Sequence, residues 1–123
     1  GSRTGIAWTP AATPDRPGVV FPPNLTSDQE TGLGQWTDAE IARVIKTGID
    51  RHGRQHLPVM PWAGYSYLKS DDIDAIVTYL RTLPPVRSRV PENVREGNAS
   101  DHRWIRFGVY VFDPDGTVRT LAP

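Results

Sequence analysis

The sequence contains no cysteine in 123 residues. This absence excludes disulfide bonds, a cysteine nucleophile and every metal site built from thiolates, and it leaves the redox compartment open. Methionine is almost as scarce, because Met60 is the only one in the chain. Its thioether is therefore the one sulfur atom that the sequence can offer to a metal.

Long apolar runs and an excess of charge are also missing. No apolar run approaches the ~18 residues that a membrane-spanning helix needs, and no signal peptide is recognisable. The 14 Lys and Arg residues balance 14 Asp and Glu residues, so no net charge attracts nucleic acid or an anionic membrane. We therefore expect one domain with a modest core, without a nucleic-acid partner or a transmembrane segment.

Catalytic motifs are absent as well. The sequence has no G-x-S-x-G, no glycine loop for phosphate and no nucleophile beside an evident base. Three neighbouring acids favour the start of a helix over a catalytic pair: Asp71, Asp72 and Asp74. The sequence thus predicts that the chain is not an enzyme.

The first of two amphipathic segments predicts a helix over residues 38–47. Thr37 and Glu40 have the spacing of a capping box, and Trp36 before them can pack on Ile41. Gly48 is placed to end the helix. The apolar stripe consists of Ile41, Val44 and Ile45.

The second segment predicts a helix that starts at Ser70 and ends near Thr82, because Pro84 disfavours the helical conformation at the residue before it. Its stripe consists of Ile73, Ile76, Val77 and Leu80. Residues 49–69 between the helices are predicted to be a long loop. Its aromatic and apolar content indicates that it wraps around something apolar.

The rest of the chain is predicted to be non-helical. Gly1-Ser2 resembles a scar of tag removal, so we expect the natural N-terminus to lie elsewhere. Two strands, 104–112 and 117–121, are predicted to form a hairpin around the turn Asp113–Gly116, which we prefer to a calcium loop because it lacks further carboxylates. The predicted segments are an extended Pro/Gly-rich lead-in (3–36), a helix–loop–helix core (37–85), a linker (86–103) and the hairpin extension (104–123).

Three motifs follow one another across residues 23–85. They are N-L-T…E-T-G-x-G at 24–34, L-P-x-M-P-aromatic at 57–62 behind G-x-D-x-x-G at 48–53, and Y-L-R-x-L-P-P at 79–85. This ordered set resembles the C-terminal two-thirds of a class I cytochrome c domain, of the kind found in bacterial periplasmic dehydrogenase subunits. The C-x-x-C-H motif that attaches haem in that family is absent from this sequence.

The resemblance implies a mainly α, cytochrome c-like helical domain with a long distal-ligand loop, to which the C-terminal β-hairpin is added. It implies haem c as the cofactor and places Met60 at the position of the distal iron ligand. Other residues assigned to the cofactor site are the wall residues Leu57, Trp62, Tyr65 and Tyr67, with Asn24 near the propionate edge. Without cysteine the chain cannot hold haem covalently, so it is also possible that the chain binds no cofactor. In that case Met60 fills space in the core.

Two functions therefore remain open. One is a one-electron-transfer domain that relays electrons for a periplasmic dehydrogenase or oxidase, with covalent haem attachment missing in this chain. The other is a haem-free, degenerate cytochrome c fold that acts as a structural or protein-interaction module. The resemblance implies a periplasmic or secreted location and a redox partner or dehydrogenase subunit. We also expect that Trp104–Phe112 covers the stripe of the second helix, or that the chain self-associates through it.

The three histidines are candidates for replacement iron ligands. His52 and His56 are four residues apart, but Gly53 between them disfavours a helical metal pair. For these two and for His102 we favour a surface or supporting role.

Overall fold

The computed structural model describes residues 1–8, 16–57, 59–106 and 110–120. The chain divides into two compact units, which we call the helical unit and the sheet unit. The helical unit is the continuous segment Leu25–Ser88, and the sheet unit combines Gly1–Asn24 with Arg89–Pro123. None of the described helices is long and apolar enough to cross a membrane.

The helical unit contains α1 (Asp38–Thr47), α2 (Trp62–Tyr65) and α3 (Ser70–Thr82). The predicted bounds of α1 are confirmed, and so is its capping box. The Glu40 N–H donates to Thr37 Oγ1 at 3.1 Å, and the Thr37 N–H donates to Glu40 Oε1 at 2.9 Å. Gly48 ends the helix in the left-handed conformation, with φ of 71°, and its N–H donates to the Val44 carbonyl.

The predicted bounds of α3 are also confirmed, whereas the prediction of an unbroken loop over 49–69 is wrong. The short helix α2 interrupts it, because the Pro61 carbonyl accepts hydrogen bonds from the N–H groups of Gly64 and Tyr65 at 2.9 and 3.1 Å. A single turn of four residues is too short to show a helical period, so the pattern could not reveal it.

The core of the helical unit lies between α1 and α3. Side chains from one face of each helix form a buried cluster of Ile41, Ile45, Ile73 and Val77. Partly buried residues of the surrounding turns and loops pack against it, including Leu33, Trp36, Met60 and Leu68. Burial of this cluster supplies the main driving force for packing the two helices, at ~1.5–3 kcal/mol for each fully buried aliphatic side chain.

Arg81 near the end of α3 ties this helix to the segment before α1. Its guanidinium donates to the carbonyls of Leu33 and Trp36 and forms an ion pair with Asp38 at 2.8 Å. The motif glycines allow the neighbouring turn to close. A Cβ on Gly32 would lie 2.3 Å from the Thr26 carbonyl oxygen, so no larger residue fits there without a shift.

The sheet unit contains a five-stranded sheet in the order β2-β1-β3-β4-β5. Neighbouring strands are antiparallel except β1 and β3, which are parallel. The strands are β1 (Gly5–Ala7), β2 (Val19–Val20), β3 (Trp104–Arg106), β4 (Tyr110–Phe112) and β5 (Val118–Thr120).

This sheet corrects two predictions. The predicted strand 104–112 contains two strands, β3 and β4, which pair in antiparallel register with Ile105 opposite Val111. Residues 107–109 of that prediction, and Leu121 of the predicted strand 117–121, lie outside the described residues. The predicted hairpin around Asp113–Gly116 is confirmed as β4–β5, and Gly116 has a φ of 86° there. The mainly α prediction therefore describes the helical unit only, since β1 and β2 from the lead-in join β3–β5 in a sheet rather than leaving an isolated hairpin.

The expected cover of the α3 stripe by Trp104–Phe112 stays a prediction. Trp104 is buried in a cluster with Val19 and Phe21, so it packs within its own unit. Ile73 and Val77 of the α3 stripe are buried in one cluster with Ile41 and Ile45 of α1. Ile76 is 38% exposed, and self-association through this residue stays a prediction.

Candidate cofactor site around Met60

Met60 lies on the loop between α1 and α3 and packs against the buried cluster of the helical unit. Its side chain is half-buried. A thioether held at the edge of an apolar core can face a ligand on its open side while its stem remains packed. This placement is compatible with both predicted roles, the iron ligand and the core filler.

Two parts of the Met60 loop contact Gly48. The first leg, residues 49–56, lies before Met60, and the second leg, residues 61–62, lies after it. The His56 N–H donates to the Gly48 carbonyl at 2.7 Å before Met60. After Met60, the indole ring of Trp62 lies so close to Gly48 that a Cβ there would be 2.7 Å from ring carbons Cγ and Cδ1. Glycine is thus required here twice, for the positive φ that ends α1 and for contact with the ring.

Trp62 also has an unused hydrogen-bond donor. Its Nε1 is buried and has no acceptor among the described residues. An unpaired buried N–H costs ~1–3 kcal/mol, so most such groups in proteins are paired. An acceptor on a bound group would remove this cost.

The other predicted wall residues leave apolar surface uncovered. Tyr67 is 89% exposed, and Leu57 and Tyr65 are exposed as well. Val59, which was not predicted as a wall residue, is also exposed. Asn24 belongs to the sheet unit, where it is buried. The structure therefore brings Met60, Trp62 and the exposed residues together on one loop, and the assignment of Asn24 to the site stays a prediction.

Asp50 organises the first leg of the loop. Its Oδ1 accepts the N–H groups of His52 at 2.8 Å and Arg54 at 3.0 Å, and its Oδ2 accepts Arg54 Nε at 3.0 Å. Only 3% of Asp50 is exposed. Asp50 is not among the predicted site residues, although the G-x-D-x-x-G spacing favours a turn built on an aspartate side chain.

The carboxyl group of Asp50 stays ionised despite its burial. Desolvation raises the pKa of Asp50, but the hydrogen bonds from Arg54 and His52 and the guanidinium charge of Arg54 outweigh it, so the net pKa lies below the ordinary value. Such a group stabilises the fold at pH above its unfolded-state pKa of about 3.9. This contribution is lost as the pH falls through the lower folded-state pKa.

The three histidines were considered as replacement iron ligands, and the structure places them as follows. His52 is exposed on the Asp50 turn, and His56 Nε2 lies 3.6 Å from Asp50 Oδ2. His102 belongs to the sheet unit and meets the Phe21 ring edge-on, with ring centroids 5.9 Å apart. Within the described parts of the chain, no three side chains of His, Asp or Glu converge as a metal site.

Comparison with known proteins decides the family. The cytochrome c family matches residues 9–84 of this chain. The chain belongs to the cytochrome c family. The match includes α1, the Met60 loop and α3, so the resemblance inferred from the three motifs is confirmed, as is the absence of C-x-x-C-H.

Several relatives of this chain are named as subunits of dehydrogenases. A nicotinate dehydrogenase subunit of Pseudomonas putida is 36% identical over 76 residues, which are 62% of this chain and 6% of that protein. The fructose dehydrogenase cytochrome subunit of Gluconobacter japonicus is 41% identical over 64 residues, 50% of this chain and 13% of that subunit. The gluconate 2-dehydrogenase cytochrome c subunit of Pantoea cypripedii is 29% identical over 79 residues, which are 64% of this chain and 18% of that subunit. The matched segment is thus less than a fifth of each relative.

The residues around Met60 fit one side of a haem. A thioether is a suitable iron ligand, the exposed apolar side chains suit a porphyrin face, and the Trp62 N–H is a donor without an acceptor among the described residues. The covalent half of a haem c site does not fit, because the chain has no thiol for the vinyl groups. Covalent attachment to these 123 residues is therefore impossible.

Proposed function

We propose that this chain is the Met60-bearing part of a one-electron-transfer domain that relays electrons for a periplasmic dehydrogenase or oxidase. Its family and the cytochrome subunits among its relatives support this function. The observation that carries the proposal is the placement of Met60. The only sulfur of the chain is packed on the α1–α3 core, on a loop whose neighbouring apolar side chains are uncovered.

In this proposal the residues of the Met60 loop would hold the haem. Met60 would hold the iron through its thioether, Trp62 would offer an N–H donor, and Leu57, Tyr65 and Tyr67 would exclude water from the cofactor. Haem, when bound, supplies an iron centre that changes between two oxidation states by one electron. A thioether ligand and apolar surroundings both favour the reduced state, so these residues set the potential. We place Asn24 at the propionate edge by family resemblance.

The haem-free alternative has less support. The absence of cysteine supports this alternative, because it prevents covalent attachment of haem. It does not prevent haem from binding through an iron ligand and apolar contacts. Relatives that are named cytochrome subunits favour the electron-transfer function. If haem c is attached by thioether bonds in the whole protein, its cysteines come from outside these 123 residues.

The partner in this proposal is a dehydrogenase subunit or another redox protein, and the location is the periplasm. The chain itself carries electrons and catalyses no reaction on a substrate. The relatives with the dehydrogenase names support the class of partner, and the substrate of that partner is outside the proposal.

The test adds haemin to the chain and compares absorption spectra. Met60→Leu replaces the thioether by a side chain of similar volume, so stability should change by less than about 1.5 kcal/mol while the spectral feature of thioether ligation disappears. Leu68→Ala is the matched control, because Leu68 packs against the same cluster as Met60. It should cost roughly 2–5 kcal/mol and leave the ligation signal of the folded fraction intact.

The two variants separate the ligand from the core filler. A Met60→Leu chain with the wild-type haem spectrum would refute the proposal and leave Met60 as a packing residue. The purified chain should also carry no covalent haem after denaturation, as expected from its lack of cysteine.

A further inference from the structure

Asp50 is unusual in this chain because it is a buried carboxylate. Among the described residues, the buried polar side chains are Asn24 and Asp50. Burying a charge costs free energy unless the group is paired and hydrogen-bonded. A turn does not require this burial, since Asp28 builds another turn of the same unit from a half-buried position. The burial of Asp50 therefore calls for a reason beyond making the turn.

The position of the Asp50 turn in the Met60 loop supplies that reason. The turn spans the residues between Gly48, where α1 ends, and His56, where the chain returns to the Gly48 carbonyl. Ile49 and Gln55 pair across it as an isolated antiparallel bridge, and the Asp50 N–H donates to the Arg54 carbonyl at 3.0 Å. The carboxylate thus closes the turn from the inside and determines where the first leg of the loop begins.

The second leg has its own support on the same residue. The Trp62 ring rests on Gly48, and the Trp62 N–H of the backbone donates to the Met60 carbonyl at 2.7 Å. Met60 is therefore carried between two supports that meet at Gly48. One of these supports depends on a charged group, and the other depends on ring packing.

We propose that Asp50 is the positioning residue of the Met60 loop and that its buried carboxylate holds the first leg so that the thioether keeps a single placement. The inference rests on the proposed function only where iron is concerned, because the placement of Met60 can be measured without haem. Asp50→Asn keeps one oxygen for the two backbone N–H groups. Its new amide N–H₂ faces the Arg54 guanidinium, so a donor replaces an acceptor and this leg loosens.

The experiment uses the fact that Met60 is the only methionine. Labelling the methionine methyl group with ¹³C gives one NMR resonance that reports on this side chain alone. In Asp50→Asn we expect the resonance to broaden or to move toward its position in the unfolded chain. Asp28→Asn is the matched control, because Asp28 Oδ2 likewise accepts hydrogen bonds, here from Thr31 and Glu30, and the pKa of Asp28 is likewise held low, chiefly by the Thr31 hydroxyl. It should leave the Met60 resonance in place.

A second readout connects the positioning to iron. With haemin added, Asp50→Asn should raise severalfold the concentration that half-saturates the Met60-dependent spectral change, and Asp28→Asn should not. If the wild-type chain shows no Met60-dependent change, the proposed function fails, while the NMR comparison still tests Asp50. If the wild-type change is present and the two aspartate variants behave alike in both readouts, the positioning role is wrong.

Arg54→Ala serves if Asp50→Asn does not fold. It removes the exposed guanidinium that donates to Asp50 Oδ2 and leaves the carboxylate and its two backbone donors in place. The Met60 resonance should then shift in the same direction by a smaller amount. An unchanged resonance in a folded Arg54→Ala chain would overturn the proposal.

Discussion

The two units of this protein differ in the sequence distance that their contacts span. In the helical unit, the capping box joins Thr37 to Glu40 and the Asp50 turn closes within five residues. In the sheet unit, Gly5 pairs with Trp104, and Val19 bridges to Val94. All contacts of the helical unit lie within Leu25–Ser88, up to the pair of Thr26 and Val86, whereas the sheet unit exists only after Gly1–Asn24 and Arg89–Pro123 have met. Long loops must close before the contacts of the sheet unit are made, so that unit should form more slowly.

The largest expected effect breaks the sheet unit alone. Trp104→Ala removes the largest side chain of its buried cluster and should cost about 3–5 kcal/mol. We expect amide resonances of β1–β3 to change or disappear at denaturant concentrations at which those of α1 remain native. Ile6→Ala on β1 is the control, because Ile6 is exposed and should cost much less. Simultaneous loss of α1 in Trp104→Ala would mean that the two units unfold as one.

The second prediction concerns the helical unit, where Arg81 donates hydrogen bonds to carbonyl groups far away in the sequence. Arg81→Ala leaves the Leu33 and Trp36 carbonyls without this donor and should lower the free energy of unfolding by about 1–3 kcal/mol. Arg87→Ala is the matched control. Its ion pair with Glu30 is largely exposed and should contribute less than about 1 kcal/mol. Equal losses in chemical denaturation would show that the carbonyl contacts of Arg81 add nothing.

The smallest effect tests the most local contact. Thr37→Ala removes the side-chain acceptor of the capping box and should cost on the order of 1 kcal/mol in a thermal or chemical melt. Thr78→Ala provides the comparison, since Thr78 is exposed in the middle of α3 and donates back to the Asp74 carbonyl. Alanine is the better helix former there, so stability should stay level or rise slightly. A Thr37→Ala chain as stable as wild type would contradict the capping of α1.

The same contrast explains what could be predicted. The bounds of α1 and α3 followed from caps, stripes and proline, all of which act within a few residues. The hairpin turn Asp113–Gly116 was equally local. The pairing of β1 with β3 was not predictable, because no rule of local sequence relates Gly5 to Trp104. The split of residues 104–112 into β3 and β4 has the same origin, since it depends on which strands pair.

The candidate site divides in a similar way. Met60 and its aromatic neighbours were identified because the motif around them resembles a family, and the family is confirmed. The support beneath them was missed. Neither the ring of Trp62 against Gly48 nor the burial of Asp50 can be inferred from residue types, because each depends on how the loop folds back on α1.

The attachment of both loop legs to Gly48 has a consequence for how this protein can vary. The five residues from Leu57 to Pro61 lie in the sequence between the two residues that contact Gly48, His56 and Trp62. Exchanges at the exposed residues Leu57 and Val59 alter what is presented to a ligand without disturbing the α1–α3 core, whereas Met60 also packs on that core. Any side chain at Gly48 would both displace the Trp62 ring and strain the backbone at the end of α1. Variation that tunes the chemistry and variation that destroys the loop are thus separated along the chain by only a few residues.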